Sequence, residues 1–228
     1  MTDFVFTSVP HIETLYPASA YGALQPVVKR AGLNMTLNDI NLYLKQNTTS
    51  QVFDEITDWS MYAKHTLSDT ASDCLDKAFQ DCIDLNKKGW LGISVFSFVV
   101  TRATERLLRW LQTVEHNYTV LLGGNGCMSV LADYGEEEFG KWCLDNHLCD
   151  HVIFGEGEQA LKELLNGNND YPGIDNTDFK QIQNLDQLDY PDYTGIDWTQ
   201  YHDPRIMITG SRGCVRHCTF CDIALSWP

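Results

Sequence analysis

The chain has 228 residues, 43% of them hydrophobic, which suits one full α/β domain with an appendage or two small domains. No apolar run reaches the roughly 18 residues that span a bilayer, and the N-terminus MTDFVFTSVPH lacks the basic region and cleavage site of a secretion signal; we read a soluble, cytoplasmic protein with no membrane partner. The formal net charge of −15 repels phosphate backbones and argues against a nucleic-acid partner.

Phe4-Val5-Phe6 opens the chain as a first strand. Ala20 to Ala31 reads as a helix stopped by Gly32, with Pro26 as a misfit, because an interior proline costs about 3 kcal/mol; a kink or a late start is expected there. Asn34 to Ile40 is the second strand. Asn41 to Lys64 reads as a helical insertion over one sheet edge. The clearest helix begins at Ser68 or Asp69: Ala71, Cys74, Leu75, Ala78, Phe79, Cys82 and Ile83 keep the i, i+3, i+4, i+7 spacing, which puts both cysteines on the buried stripe as small core residues.

Leu91 to Phe98 is a nearly continuous apolar strand, as at the centre of a parallel sheet. A helix over Thr104 to Val114, a strand over Tyr118 to Leu122, a helix over Glu136 to His147, a strand over His151 to Phe154 and a helix over Glu158 to Leu165 follow. Buried strands alternating with helices imply an α/β fold, a doubly wound parallel five-stranded sheet over residues 1–165. Residues 166–204 hold eight aspartates, one lysine and three prolines with no sustained period, and read as an Asp-rich linker wrapping the surface. Ile206-Met207-Ile208 is a short apolar strand leading into Gly210-Ser211-Arg212-Gly213-Cys214.

Of eight cysteines, Cys74, Cys82, Cys127, Cys143 and Cys149 are scattered. Cys214, Cys218 and Cys221 form C-x3-C-x2-C, a spacing at which three thiolates hold three irons of a [4Fe–4S] cube and leave the fourth iron open. Arg212 and Arg216 lower nearby thiolate pKa values and offset cluster charge. Spacing alone also allows a structural zinc with His217 or Asp222 as fourth ligand, that is, a zinc-stabilised interaction protein. At the carboxyl edge of an open α/β sheet, where ligands bind, fall Asp39 to Asn41, Gly123 to Gly126 and Gly155 to Glu158. Gly123, Gly124 and Gly126 remove side chains where a flat ligand could lie against backbone. Glu156 and Glu158 also suit a helix N-terminus electrostatically.

The segment ITGSRGCVRHCTFCD resembles the cluster loop of the radical S-adenosylmethionine enzymes, with Phe220 before Cys221 matching their pattern. The likeness is strongest to the subgroup whose radical barrel follows a cobalamin (B12)-binding domain. It extends to Asp39-Ile40-Asn41, Gly123-Gly124, Gly155-Glu156-Gly157-Glu158 and Leu188-Asp189-Tyr190-Pro191-Asp192-Tyr193. The resemblance implies a flavodoxin-like, B12-binding-like domain, a linker, and over 205–228 the first strand and cluster loop of a radical domain. Implied with it are a [4Fe–4S] cluster on Cys214, Cys218 and Cys221, reductive cleavage of S-adenosylmethionine to a 5′-deoxyadenosyl radical, a small-molecule substrate, and an electron donor such as flavodoxin or ferredoxin. Asp39, Asn41, Gly123, Gly124, Gly126, Gly155, Glu156 and Phe220 are the implied cofactor-binding positions. The Asp-x-His-x-x-Gly motif of cobalamin domains with a protein ligand is absent, and His11 lacks its context, so cobalamin is implied without a histidine on cobalt. A (β/α) barrel takes about 250 residues, so the resemblance implies a truncated barrel here, with the remainder in a longer product or a separate chain. A stand-alone cobalamin-binding module without catalysis is the alternative.

Overall fold

The computed structural model describes residues 3–11, 16–62, 66–203, 205–214, 216 and 218. Five parallel strands, β1 (Asp3–Ser8), β2 (Asn34–Asp39), β3 (Lys88–Ser94), β4 (Asn117–Gly123) and β5 (His151–Ile153), lie in the order β2-β1-β3-β4-β5. That is the flavodoxin-like arrangement, with a switch point between β1 and β3. Side chains alternate across the sheet. Val5, Ile93, Val120, Leu122 and Val152 face one core, and Phe4, Phe6, Met35, Leu121 and Ile153 face the other. The first core is covered by α2 (Ile40–Asn47), α3 (Ser50–Tyr62), α4 (Asp69–Cys82), α5 (Thr101–Leu111) and α6 (Phe139–Asp145); the second by α1 (Ser19–Arg30) and α7 (Gly157–Leu165). The chain is therefore α/β and doubly wound, as the alternation of strands and helices implies.

The insertion after β2 forms two helices, α2 and α3. Ser68 caps α4, its hydroxyl accepting from Ala71 N–H at 3.2 Å, and is itself held by Glu55, which accepts from the Ser68 N–H at 2.6 Å. Cys74 and Cys82 are half-buried at the margin of the larger core, and burial pushes the Cys82 thiol up to about 12. The third strand ends at Ser94 rather than Phe98. Phe98–Val100 turns into α5, because the Val95 and Gly126 backbones already bond Gly123 and Val95 across the sheet end at 2.7 Å each. The short strand expected over Ile206–Ile208 does not form: all three are exposed and outside regular structure. The segment pairs with no strand among the described residues, and an unpaired strand is not stable by itself.

Pro26 lies inside α1, which runs unbroken from Ser19 to Arg30 and so does not start late. A proline has no N–H to give the carbonyl four residues back. That carbonyl, on Gly22, accepts instead from the Asp192 N–H at 2.9 Å. Gly22 also has no side chain where the Tyr193 ring packs; a Cβ there would sit 2.3 Å from the ring. The helix thus carries a notch, and residues 192–194 dock into it. Gln25 and Tyr21 donate to the Thr194 carbonyl at 2.9 and 3.2 Å. Lys29 donates to Asp192 at 2.5 Å and, with the Thr194 N–H, holds that carboxyl well below the usual carboxylate range. Residues 166–201 accordingly wrap the surface but also contribute Ile174, Tyr193, Ile196 and Trp198 to the second core.

His151, at the start of β5, lies 2.8 Å from Asp175, whose other oxygen accepts from Val152 N–H at 2.7 Å. The bond to Asp175 raises the His151 pKa above its ordinary 6.5 against the opposing effect of burial, with Asp150 adding in the same direction. A raised folded-state pKa stabilises fully below the unfolded value and the gain disappears as pH rises through the folded one. The urea midpoint should therefore fall as pH rises above the ordinary 6.5 through the raised folded-state pKa, and H151Q should flatten that part of the profile.

Candidate functional site

The carboxyl ends of β1, β3, β4 and β5 open into a cleft of about 880 Å³, within the roughly 300–1,000 Å³ that small-molecule sites occupy. Its floor is the second face of the sheet, with Phe4, Phe6 and Leu121. Small residues on facing elements, Ala20 and Ala23 on α1, Gly92 on β3 and Gly157 on α7, keep it open. Its roof is made by two stretches far apart in sequence: Leu185 to Pro191, and the tail from Met207 to Gly213. The roof is in place because Tyr193, seated in the α1 notch, donates from its hydroxyl to the Met207 carbonyl at 3.0 Å, and because Arg30 pairs with Asp189.

Among the residues expected to bind a cofactor, Gly123, Gly124, Gly155 and Glu156 line this cleft. Gly123 has open space beside it, with Ile153 Cβ 4.0 Å from the position of a side chain. Gly124 has a different reason to be glycine: its φ is +112°, and a Cβ would lie 2.6 Å from the Val95 carbonyl oxygen. Gly126 does not line the cleft. It packs against the Ser97 backbone, where a Cβ would come within 2.6 Å, so its lack of a side chain serves the joint between two strand ends. Asp39 and Asn41 do not line the cleft either. Asp39 caps α2, accepting from Leu42 N–H at 2.9 Å, and also accepts from Ser8 at 3.0 Å and Tyr201 at 2.8 Å. Burial first, and then the Asp39 charge, raise the Tyr201 pKa well above the ordinary phenol value. The Asn41 side chain accepts from the His11 N–H at 2.9 Å and so fixes the loop after β1. His11 lies outside the cleft lining, its ring edge-on to Phe96 at 5.1 Å between centroids.

Cys214 and Cys218 are exposed; Cys221 and Phe220, like His217 and Asp222, lie outside the described residues. Cys214 directly follows Gly213, which lines the cleft. Its sulfur accepts from the Arg216 N–H at 3.4 Å. The Arg212 guanidinium is committed to two glutamates. Its Nη1 lies 2.6 Å from Glu156 and 3.2 Å from Glu158, and its Nη2 also bonds Glu158. Burial would lower the Arg212 pKa, but the hydrogen bonds it donates to Glu158 and Glu156 outweigh that and raise it. The glutamates are thus ion-pair partners of the tail as well as acids near the α7 N-terminus. Their convergence with Arg212, 54 and 56 residues away, carries no local sequence signal. Two clues to the roof lay in the sequence: Pro26, which leaves the Gly22 carbonyl without its helical donor, and the motif from Leu188 to Tyr193.

No family model matches the chain, and no curated protein matches it. Two solved structures of the radical S-adenosylmethionine methyltransferase TsrM from Kitasatospora setae are similar at 14% identity, each over 76% of this chain. One has cobalamin and a [4Fe-4S] cluster bound (TM-score 0.45, 27% of its chain covered). The other has tryptophan substrate and the analogue aza-SAM bound (TM-score 0.41, 28% covered). The chain spans about a quarter of the length of these proteins.

Proposed function

We propose that this chain is the N-terminal portion of a cobalamin-dependent radical S-adenosylmethionine enzyme. Residues 1–165 are its cofactor domain, 166–204 the linker, and 205–228 the start of the radical domain. Cys214, Cys218 and Cys221 hold a [4Fe–4S] cluster with one iron left to the amino and carboxylate groups of S-adenosylmethionine, and the cleft above the sheet holds cobalamin with no histidine on cobalt. The observation that carries the reading is that the cysteine-bearing tail is itself a wall of the cleft: Met207 to Gly213 roof it, and Cys214 is the next residue.

The chemistry of the site supports both groups. Cys214 and Cys218 are free and exposed, so both thiols are open to iron, while no group of three metal-ligating side chains converges among the described residues. The apolar floor of Phe4, Phe6 and Leu121 suits the apolar part of a corrinoid, and Gly123 lets a flat group approach the end of β4. When bound, the cluster supplies the electron that cleaves S-adenosylmethionine to a 5′-deoxyadenosyl radical; flavodoxin or ferredoxin is the donor class, and a small molecule the substrate. The chain's own part is placement: Cys214 follows directly on the cleft wall at Gly213, Leu188 and Met207 line the roof over the floor, and Arg212 ties the tail to Glu156 and Glu158.

Anaerobic reconstitution with iron and sulfide tests the reading. It should give a brown protein with about four irons per chain that retains hydroxocobalamin through gel filtration. A colourless protein carrying one zinc rejects it, and a protein that retains cobalamin but no iron reduces it to a stand-alone binding module.

A further inference from the structure

We propose that Arg212 is a positioning residue, the latch that closes the tail over the cleft. Its side chain is only 17% exposed, and those of Glu156 and Glu158 are 3% and 11% exposed. Glu156 uses its second oxygen to accept the Ile182 N–H. Three stretches of chain therefore meet at one ionic cluster: the β5–α7 turn, the segment before the Leu185 roof, and the tail. Two carboxylates face one guanidinium, and the α7 N-terminus offsets the remaining negative charge. A pair this buried is closed or broken as a unit, because removing one partner leaves an uncompensated charge away from water.

The tail has little else to hold it. Among the described residues from Ile206 to Gly213, no backbone ladder forms, and the polar contacts with the domain are those of Arg212 and the Tyr193 bond to Met207. Since these tail residues are a wall of the cleft, the latch and the occupant of the cleft stabilise each other. The coupling is reciprocal: a ligand in the cleft keeps the tail docked, and a docked tail raises the affinity for the ligand. Placement of Cys214 beside the cleft follows from the same contact. That the ligand is cobalamin rests on the function proposed above; the latch itself does not.

Trypsin reads the latch directly, since it must take an arginine side chain out of its contacts. In the wild-type chain, initial cleavage after Arg212 should be roughly tenfold slower than after the exposed Arg216, as the open population dictates. In E156Q/E158Q, which keeps the cleavage site, the two rates should converge. R212K keeps the charge but loses the fork, so protection should be intermediate. Hydroxocobalamin should slow cleavage after Arg212 further in the wild type, and should bind E156Q/E158Q about fivefold or more weakly. Equal rates at Arg212 and Arg216 in the wild type would overturn the latch. So would an unchanged ratio in E156Q/E158Q or, should that variant fail to fold, full protection retained in R212K. Protection that responds to the variants in a chain that binds no cobalamin would support the latch and reject the cofactor.

Discussion

Replacing Gly124 with valine is expected to destabilise the domain by about 2–6 kcal/mol, a large part of the roughly 5–15 kcal/mol that holds a domain of this kind. Two effects combine. The residue sits at φ +112°, where a β-branched side chain is strained, and its Cβ would lie 2.6 Å from the oxygen and 2.9 Å from the carbon of the Val95 carbonyl. Those are backbone atoms of β3's continuation, already fixed by the bonds from Val95 to Gly123 and from Gly126 to Val95, so they cannot turn aside. Gly32→Ala is the control. It also has a positive φ, +77°, but nothing within 4 Å of the added carbon, and should cost about 1 kcal/mol. Denaturant midpoints for the two variants separate crowding from backbone strain.

Gly22→Val is expected to act on the roof and leave the sheet standing. The new side chain would occupy the place of the Tyr193 ring, which is only 7% exposed and cannot swing away without leaving the second core. With Tyr193 go the Asp192 bond to the Gly22 carbonyl and the hydroxyl bond to Met207. The lost burial is worth about 2–3 kcal/mol, partly offset by the better helix propensity of valine over glycine. The expected signature is a modest fall in thermal midpoint, rapid proteolysis within residues 185–201, and loss of ligand binding in the cleft. Full unfolding, or ligand binding unchanged with the segment loose, would contradict the role given to the notch.

Much of the architecture was legible in the residues because it is local. The nearly continuous apolar run from Leu91 announces a buried strand, and the stripe from Ala71 to Ile83 announces α4. Boundaries moved where tertiary contacts intervened: the apolar run after Ser94 continues, but Val95 makes the last ladder bond, to Gly123, and its own carbonyl is taken by the Gly126 N–H of the turn after β4. The site was legible only in part. Gly123 and Gly155 were found at the cleft from their place after strands. Asp39 has the same placement, but its carboxylate is committed to Leu42, Ser8 and Tyr201, the last 162 residues away. Likewise the pairing of Arg212 with Glu156 and Glu158 depends on a chain reversal that no periodicity encodes. The helix-interior proline marks a carbonyl, on Gly22, that takes its donor from outside the helix, the Asp192 N–H.

The most direct test of the central claim is the electron paramagnetic resonance spectrum of the anaerobically reconstituted, dithionite-reduced chain with and without S-adenosylmethionine. A cluster held by three thiolates with one open iron should give a [4Fe–4S] signal that shifts on addition of the cosubstrate and vanishes in C214S/C218S/C221S. A signal indifferent to S-adenosylmethionine, or iron content unaltered by the triple substitution, would contradict it.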